Sequence, residues 1–452
     1  MRGSVWRAVC ATAAFCFVSV TTLSAVAQPL ETATDQDYDR LFSNVLRDPS
    51  NLDLSFRFAE SAARRNDFEA AIGSLERMIF YNPDLPRVRL ELGLLYFRLG
   101  SYEMARSYFQ SVLDDPDAPS EVKGRVYAFL AEIDRRSNVQ QLSIYAQLGY
   151  RYETNANAGP QSQIVRVFGQ DAILGRQFIN RPDWNAFAIG AVRHVWDFEN
   201  QRGDVWETNV AGYVARQFTF STLHIGLAEI QTGPRLVIEN DLVPGVTVRP
   251  YGLVNGVMLG DQRYLTTLGG GAALTIPTLG GGTLEPFIEG RHRRFENSSD
   301  YPIANQQTGR LWASGAFLQG PIGSVGSSDF RYQFRAAYIR NDVKSVFDYN
   351  SYDQAAVDIG LPIEFEGLWN ARKWAFIPTA GYGYYKYDQP NVFIDPFMKR
   401  RDHEYRVGGL LDVPIYEFAG VAIQVQYAKI DSNIRNYDTR NVSVAFGPTF
   451  RF

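Results

Sequence analysis

Histidine is scarce. The four in 452 residues, His194, His224, His292 and His403, are too scattered to give metal-ligand spacing. The only two cysteines, Cys10 and Cys16, lie close to the N-terminus. No G-x-S-x-G elbow occurs, and nothing marks a Ser/His/Asp set. The triplets Gly269-Gly270-Gly271 and Gly280-Gly281-Gly282 lack the lysine and the helix opening of a phosphate loop, and read instead as room for bends and turns in a curved sheet. These absences point away from catalysis, metals and cofactors; a hydrolase site assembled across distant strands is the enzymatic alternative. Long Lys/Arg runs are missing and the net charge is -4, which argues against nucleic-acid binding. Past the N-terminus there is no apolar run long enough for a membrane-spanning helix. What is present, 45% hydrophobic and 14% aromatic residues, suffices for a full-sized core. A large soluble protein and a transmembrane β-barrel, whose polar lumen hides it from hydropathy averages, both fit these figures.

Arg2 and Arg7, the apolar stretch from Ala8 to Val20 and the small-residue site Ala25-Val26-Ala27 read as a secretory signal peptide over 1–27, with Gln28 as the mature N-terminus. The alternative, an N-terminal membrane anchor, is disfavoured by the short apolar run. Both cysteines would leave with the peptide, so no disulfide is expected; neither follows a lipobox, so no lipid anchor is expected.

A second domain, 28–137, has helical period and repeats. Phe68, Ala71, Leu75 and Met78 are followed 34 residues later by Tyr102, Ala105, Phe109 and Val112, the tetratricopeptide spacing. Leu92-Gly93, Tyr96, Gly100 and Phe109 match the repeat's residue types, Asn82-Pro83 ends a helix, and a third helical stretch, 121–136, is expected to cap the stack. An unrelated helical bundle is the alternative. By repeat position the inner face would present Asp53, Phe56, Glu60, Ala63 and Arg64, then Arg87, Leu90, Leu94, Phe97 and Arg98. If exposed, Phe56 and Phe97 beside Arg64 and Arg98 would suit an extended peptide or a partner helix. Packing of the same residues against the cap or the next domain is the equal alternative.

From about Val139 the period changes to two. Leu142, Ile144, Ala146, Leu148, Tyr150 and Tyr152 alternate with Ser143, Tyr145, Gln147, Gly149, Arg151 and Glu153, and the pattern recurs at 421–428 and 441–452. Aromatics at strand ends, long strands and a final Phe452 preceded by Phe446 and Phe450 favour a membrane barrel with its apolar face to lipid over a soluble sandwich. Fourteen strands are expected over 138–452, among them 142–153, 222–230 and 351–363, with a long connection at 231–245. An even number puts both barrel termini on one side and the helical module in the periplasm, with the long connections after strands 1, 7 and 11 outside. The fold class is therefore α+β multidomain: tetratricopeptide helices, then a transmembrane antiparallel β-barrel in lipids of the bacterial outer membrane. The ending at Phe452 resembles the signal by which bacterial barrels are handed to their insertion machinery.

Gly149-Tyr150-Arg151-Tyr152-Glu153-Thr154-Asn155-Ala156-Asn157-Ala158 closes the first strand. Its Tyr150, Tyr152, Glu153, Asn155 and Asn157 resemble the tyrosine, acidic, small, Asn-x-Asn element at the barrel start of surface lipoprotein assembly modifiers, the Slam family. Glu153-Thr154 stands where that family often has Asp-Ser. The likeness covers the mature chain in order: repeats, element, barrel. It implies an outer-membrane translocator that helps lipoproteins reach the cell surface, with the repeats engaging the client lipoprotein or a periplasmic chaperone.

Within the barrel, Arg331 and Arg335 share one strand face, as do Glu285, Glu289, Arg291 and Arg293. Charges of both signs on lumen faces imply cross-strand bracing or a wet channel. Two further functions stay open: an exopolysaccharide export porin with a repeat module, for which Glu285, Glu289 and Tyr145 are a weak lumen signature, and a passive porin.

Overall fold

The computed structural model describes residues 35–452 except 49, 66, 83–84, 116–119, 201, 240–242, 345–347 and 370–371. The signal peptide read over 1–27, both cysteines and Pro83 lie outside the described residues. The described chain forms two compact units, parted between Asn138 and Val139.

The first unit holds, among the described residues, six helices: α1 Asp35–Arg47, α2 Leu52–Arg64, α3 Phe68–Tyr81, α4 Pro86–Arg98, α5 Tyr102–Leu113 and α6 Ser120–Ser137. Local chemistry sets their starts. The side chains of Asn51 and Asp67 accept the N–H of Leu54 and Ala70 at 3.2 and 3.1 Å, and Pro86 opens α4 where its missing N–H costs nothing. The 34-residue period appears as burial, since Ala71, Leu75 and Met78 of α3 and Ala105, Phe109 and Val112 of α5 are all core. One core joins α1 through α4 around Phe58, Leu75 and Leu92; another, around Phe109, is closed by Val126 and Ile133 of the capping helix α6. Helix α1 continues the stack at the other end, laying Tyr38 and Phe42 on Phe58 at ring distances of 5.2 and 5.5 Å.

Close approach of α4 and α5 depends on Gly93. A Cβ there would stand 2.6 Å from the Phe109 ring, which is itself stacked on Phe129 at 5.4 Å. Gly93→Val should therefore destabilise the helical unit by about 2–3 kcal/mol through overpacking. Limited proteolysis of the full chain should then cut within 86–137 at protease concentrations that spare the parent; equal resistance would show that the ring can yield.

The second unit is a closed antiparallel barrel of 14 staves. Its strands are β1 Gln140–Glu153, β4 Asp183–Asp197, β5 Val205–Gln217, β6 Ile225–Val237, β7 Thr247–Leu259, β8 Gln262–Thr278, β9 Gly282–Phe295, β10 Gly309–Val325, β11 Ser328–Val343, β12 Tyr352–Gly360, β13 Ile363–Glu366, β14 Lys373–Tyr387, β15 Arg401–Pro414, β16 Ala419–Ser432 and β17 Thr439–Arg451; β2 Ile164–Val167 and β3 Gln170–Ile173 form a separate hairpin in the first long loop. Strands β12 and β13 are one stave, interrupted at Leu361-Pro362, where 351–363 reads in sequence as a single strand. The cylinder closes between β1 and β17, where Ile144 and Phe452 exchange both backbone hydrogen bonds at 2.9 Å.

Two rims result. Loops 154–182, 296–308 and 388–400 stand on one, the loop rim, as the alternation of long and short connections leads one to expect. The chain enters at Gln140 and leaves at Arg451 on the other, the turn rim. One sequence expectation needs correction: the connection expected at 231–245 starts later, because β6 runs on to Val237 and β7 begins at Thr247. Gln231, Gly233, Pro234 and Arg235 look like loop residues, yet Gln231, Gly233 and Arg235 face the lumen, where polar residues belong. Pairing with β7 does lapse from Gly233 to Arg235, around a proline that cannot donate to the ladder.

Residue alternation maps onto the wall. Leu142, Leu148, Tyr150, Ile423, Val425, Val442 and Phe446 point outward and are exposed, whereas Gln147, Arg151, Ala445 and Thr449 point inward and are buried. Exposed Trp196, Trp206, Tyr416 and Phe418 ring the turn rim, and Tyr150, Trp184, Phe218, Tyr382 and Tyr405 ring the loop rim. A wall that is apolar outside between two aromatic belts is a transmembrane surface.

Candidate functional site

The helical unit offers a face built mostly by α2. Asp53, Phe56, Glu60 and Arg64 recur at helical spacing, and the Arg87 guanidinium of α4 lies 4.9 Å over the Phe56 ring. Asp53, Glu60, Arg64, Arg87 and Arg98 are exposed, while Phe56 and Ala63 are half-buried against the core. The other expected anchors are not on this face. Leu90 is core; Leu94 and Phe97 pack on the same cluster; and the Phe97 ring meets Phe129 of α6 at 5.5 Å and Tyr102 at 5.8 Å. The capping helix, whose position the period does not give, covers that stripe of α4. The face that remains is a charged strip around one arginine-covered aromatic. Nearby, Tyr38 donates to Asp67 at 2.6 Å, and this bond together with burial pushes its hydroxyl up to about 12. Sequence reading missed the outward Phe80 and Tyr81 at the end of α3, 84% and 52% exposed; two adjacent aromatics cannot both face a core at helical period, which is the signal that was available.

In the barrel the family-like element is a structural corner. Tyr150 and Tyr152 point outward, Tyr152 meeting Trp184 at 5.2 Å, and belong to the aromatic belt. Glu153 faces inward and accepts from Asn185 and Asn441 at 3.0 and 3.2 Å. Buried Asn155 donates to the Gly159 and Arg440 carbonyls and accepts the Gly159 N–H, while Asn157 bonds Ile179 O and Arg181 N at 2.8 Å. Short amide side chains thus replace strand pairing where the chain leaves β1, folding loop 154–182 back onto the rim.

That loop carries the β2–β3 hairpin. Its turn at Phe168-Gly169 has φ of 50° and 77°, a geometry that Asn-Gly usually announces, which is why it is not read from sequence. The hairpin is tied to two other loops. Arg166 exchanges backbone bonds with the Asn436 side chain at 2.7 and 2.8 Å and pairs with Asp395 at 3.1 Å; Phe168 and Gly169 donate to Phe393 and Ile394 carbonyls. The Phe397 N–H and the Arg166 guanidinium hold the buried Asp395 carboxyl below the usual range, against its desolvation. A depressed folded-state pKa contributes stability above the unfolded value near 3.8 that is lost as pH falls through the folded one. Hydrogen exchange should therefore show loop 154–182 equally protected from neutral pH down to about 4, with opening only in stronger acid. Asp395→Asn should expose it at neutral pH; opening of the parent at pH 6 would place the control elsewhere.

The lumen is part packed, part charged. Phe187, Tyr213, Ile225, Val257, Leu265 and Phe295 form an apolar cluster toward the loop rim, onto which loop 296–308 folds Tyr301 and Ala304. Deeper, Glu207, 3% exposed, takes Arg193 at 2.9 Å and Arg235 at 3.1 Å, with Arg249 at 3.8 Å. Arg291 bridges Glu229 at 2.7 Å and Glu289 at 2.5 Å, and Tyr251 donates to Glu289 at 3.0 Å. Across the lumen Arg406 joins Asp358 and Glu404 at 2.8 and 2.9 Å. Of the charges singled out in sequence, Glu289 and Arg291 thus tie β9 to β7 and β6 across the lumen wall, and Arg293 contacts Asn341. Glu285 stands 3.4 Å from Thr275, and Arg331 and Arg335 hold no ion pair among the described residues. Glu207, Glu229 and Arg406 were not anticipated, because their partners are set by barrel register. Among the described residues no group of His, Cys, Asp and Glu is placed to hold a metal ion.

The geometry defines a class: a transmembrane β-barrel preceded by a tetratricopeptide module. A tetratricopeptide-repeat family model matches residues 59–123. No curated protein matches the chain. Among solved structures the helical part is similar to the Yersinia enterocolitica type III secretion chaperone SycD in complex with a peptide of the translocator YopD, at 14% identity and TM-score 0.21, covering 23% of this chain and 81% of that one. The barrel is similar to a bacterial polysaccharide outer-membrane secretin, at 13% identity and TM-score 0.31 over 68% and 98% of the two chains. The chain is also similar to the translocator domain of the Neisseria meningitidis autotransporter NalP, at 12% identity and TM-score 0.26 over 74% of this chain and 96% of that one.

Proposed function

We propose that the protein is a non-catalytic outer-membrane translocator that assists delivery or display of lipoproteins at the cell surface, as the resemblance to surface lipoprotein assembly modifiers implies. The loop rim faces outward and the repeat module works in the periplasm, receiving a client lipoprotein or its chaperone. One observation carries this reading: the Tyr150 to Asn157 element stands at the first corner of a closed barrel that follows a tetratricopeptide module in the chain. The charged strip of Asp53, Glu60, Arg64 and Arg87 around Phe56 supports an extended, polar client segment.

A deletion strain tests it. Protease shaving of epitope-tagged lipoproteins should show them retained inside, while secreted polysaccharide and small-solute permeability stay at parental levels. Normal lipoprotein display would overturn the reading; loss of polysaccharide instead would favour export of sugar, and loss of permeability a passive pore.

A further inference from the structure

The lipid-facing wall is asymmetric in charge. No outward strand position near the turn rim carries Lys or Arg, whereas the loop rim carries outward, exposed Arg263, Arg294, Arg310, Lys386, Arg401 and Arg440. Register sets Lys386 directly opposite Arg401. Like charges opposed across a sheet repel, and an arginine on a lipid-facing wall is tolerated only at headgroup level. Such a belt is electrostatically complete when anionic headgroups lie against it.

At one point the belt stands over a groove. Between Leu268 and Trp312, on the outward face of β8 to β10, lies a cavity of about 440 Å³ with Gly270 and Gly290 as its floor and His292 and Arg310 at its mouth. The Trp312 ring lies where a side chain at residue 290 would go, since a Cβ there would be 2.7 Å from it. Arg294 is the next outward residue of β9 toward the rim. The nearest acid in register, Asp342, lies directly opposite Arg310; Arg340, 3.8 Å from it, is held more closely by Asp388 at 2.6 Å, so the mouth sets Arg310 and Arg294 against one acid and is net cationic. The apolar walls suit a hydrocarbon chain and the mouth suits a phosphate.

We propose that this groove binds a phosphate-bearing lipid of the adjoining leaflet, one acyl chain lying between Leu268 and Trp312 and the phosphate on Arg310, with Arg294 and His292 beside it. The site is independent of what the barrel transports. Native mass spectrometry of the full chain in detergent, titrated with dimyristoyl phosphatidic acid, should show one adduct that survives activation. Arg310→Gln with Arg294→Gln should weaken it about tenfold, while Arg440→Gln, on distant β17, should leave it unchanged. Gly270→Leu should abolish it by filling the groove. Dimyristoylglycerol binding as tightly as the phosphatidic acid, inorganic phosphate displacing it fully, or undiminished binding by the double arginine variant would each overturn the proposal.

Discussion

Glu207→Gln should lower the unfolding free energy of the barrel by about 3 kcal/mol, the scale seen when one member of a buried ion cluster is neutralised. The carboxylate is almost wholly buried, and Arg193, Arg235 and Arg249 converge on it from three strands. An amide of the same shape keeps the volume but removes the charge, leaving three guanidinium groups facing one another. Part of the loss is recovered because Arg193 is 38% exposed and can turn toward lumen water. Removing a partner as well, as in Glu207→Leu with Arg235→Leu, should cost less than the sum of the single changes, since two guanidinium groups rather than three are then left without the carboxylate. Urea unfolding in lipid vesicles, followed by tryptophan fluorescence, measures each corner of the cycle. A single-variant loss below about 1 kcal/mol would mean that water screens this site as it does an exposed pair, and the wet-channel reading of the lumen charges would replace bracing.

The same residues show what sequence could reveal. The alternation that put Leu142, Leu148 and Tyr150 on one face and Gln147 and Arg151 on the other survives intact in the barrel, because a period of two is a local property of the backbone. The 34-residue repeat is likewise local, and its matched positions Ala71 and Ala105 are both fully buried. Register is not local. Glu229 and Arg291 meet at 2.7 Å only because three intervening ladders fix how far each strand is shifted along the next, and nothing in either residue's neighbourhood encodes that shift. Phe97 fails for a related reason: its periodicity identifies a stripe of α4, but only the position of α6 decides whether that stripe meets solvent. The Tyr150 to Asn157 element was legible as a family likeness, whereas its mechanical role became visible only with the partners Gly159, Ile179 and Arg440 in place.

Phe452 allows the barrel's closure to be separated from its delivery. Its backbone exchanges two 2.9 Å hydrogen bonds with Ile144 where the cylinder shuts, and its ring, 69% exposed, stacks on Phe418 at 6.2 Å in the turn-rim belt. Phe452→Ala keeps the backbone pair, so unfolding from vesicles of the purified, refolded variant should shift by about 1 kcal/mol or less, as for one aromatic contact at the interface. Deleting the residue removes both bonds as well and should cost about 1–3 kcal/mol more. In cells the order should change. If the Phe452 ring is what barrel insertion machinery reads, Phe452→Ala and the deletion should lose most of the heat-modifiable folded barrel alike, despite their different stabilities in vesicles. Parental levels of folded Phe452→Ala in the membrane would reduce the residue to a closing pair, and the handover signal would then have to lie in Phe446 and Phe450, the other outward aromatics of β17.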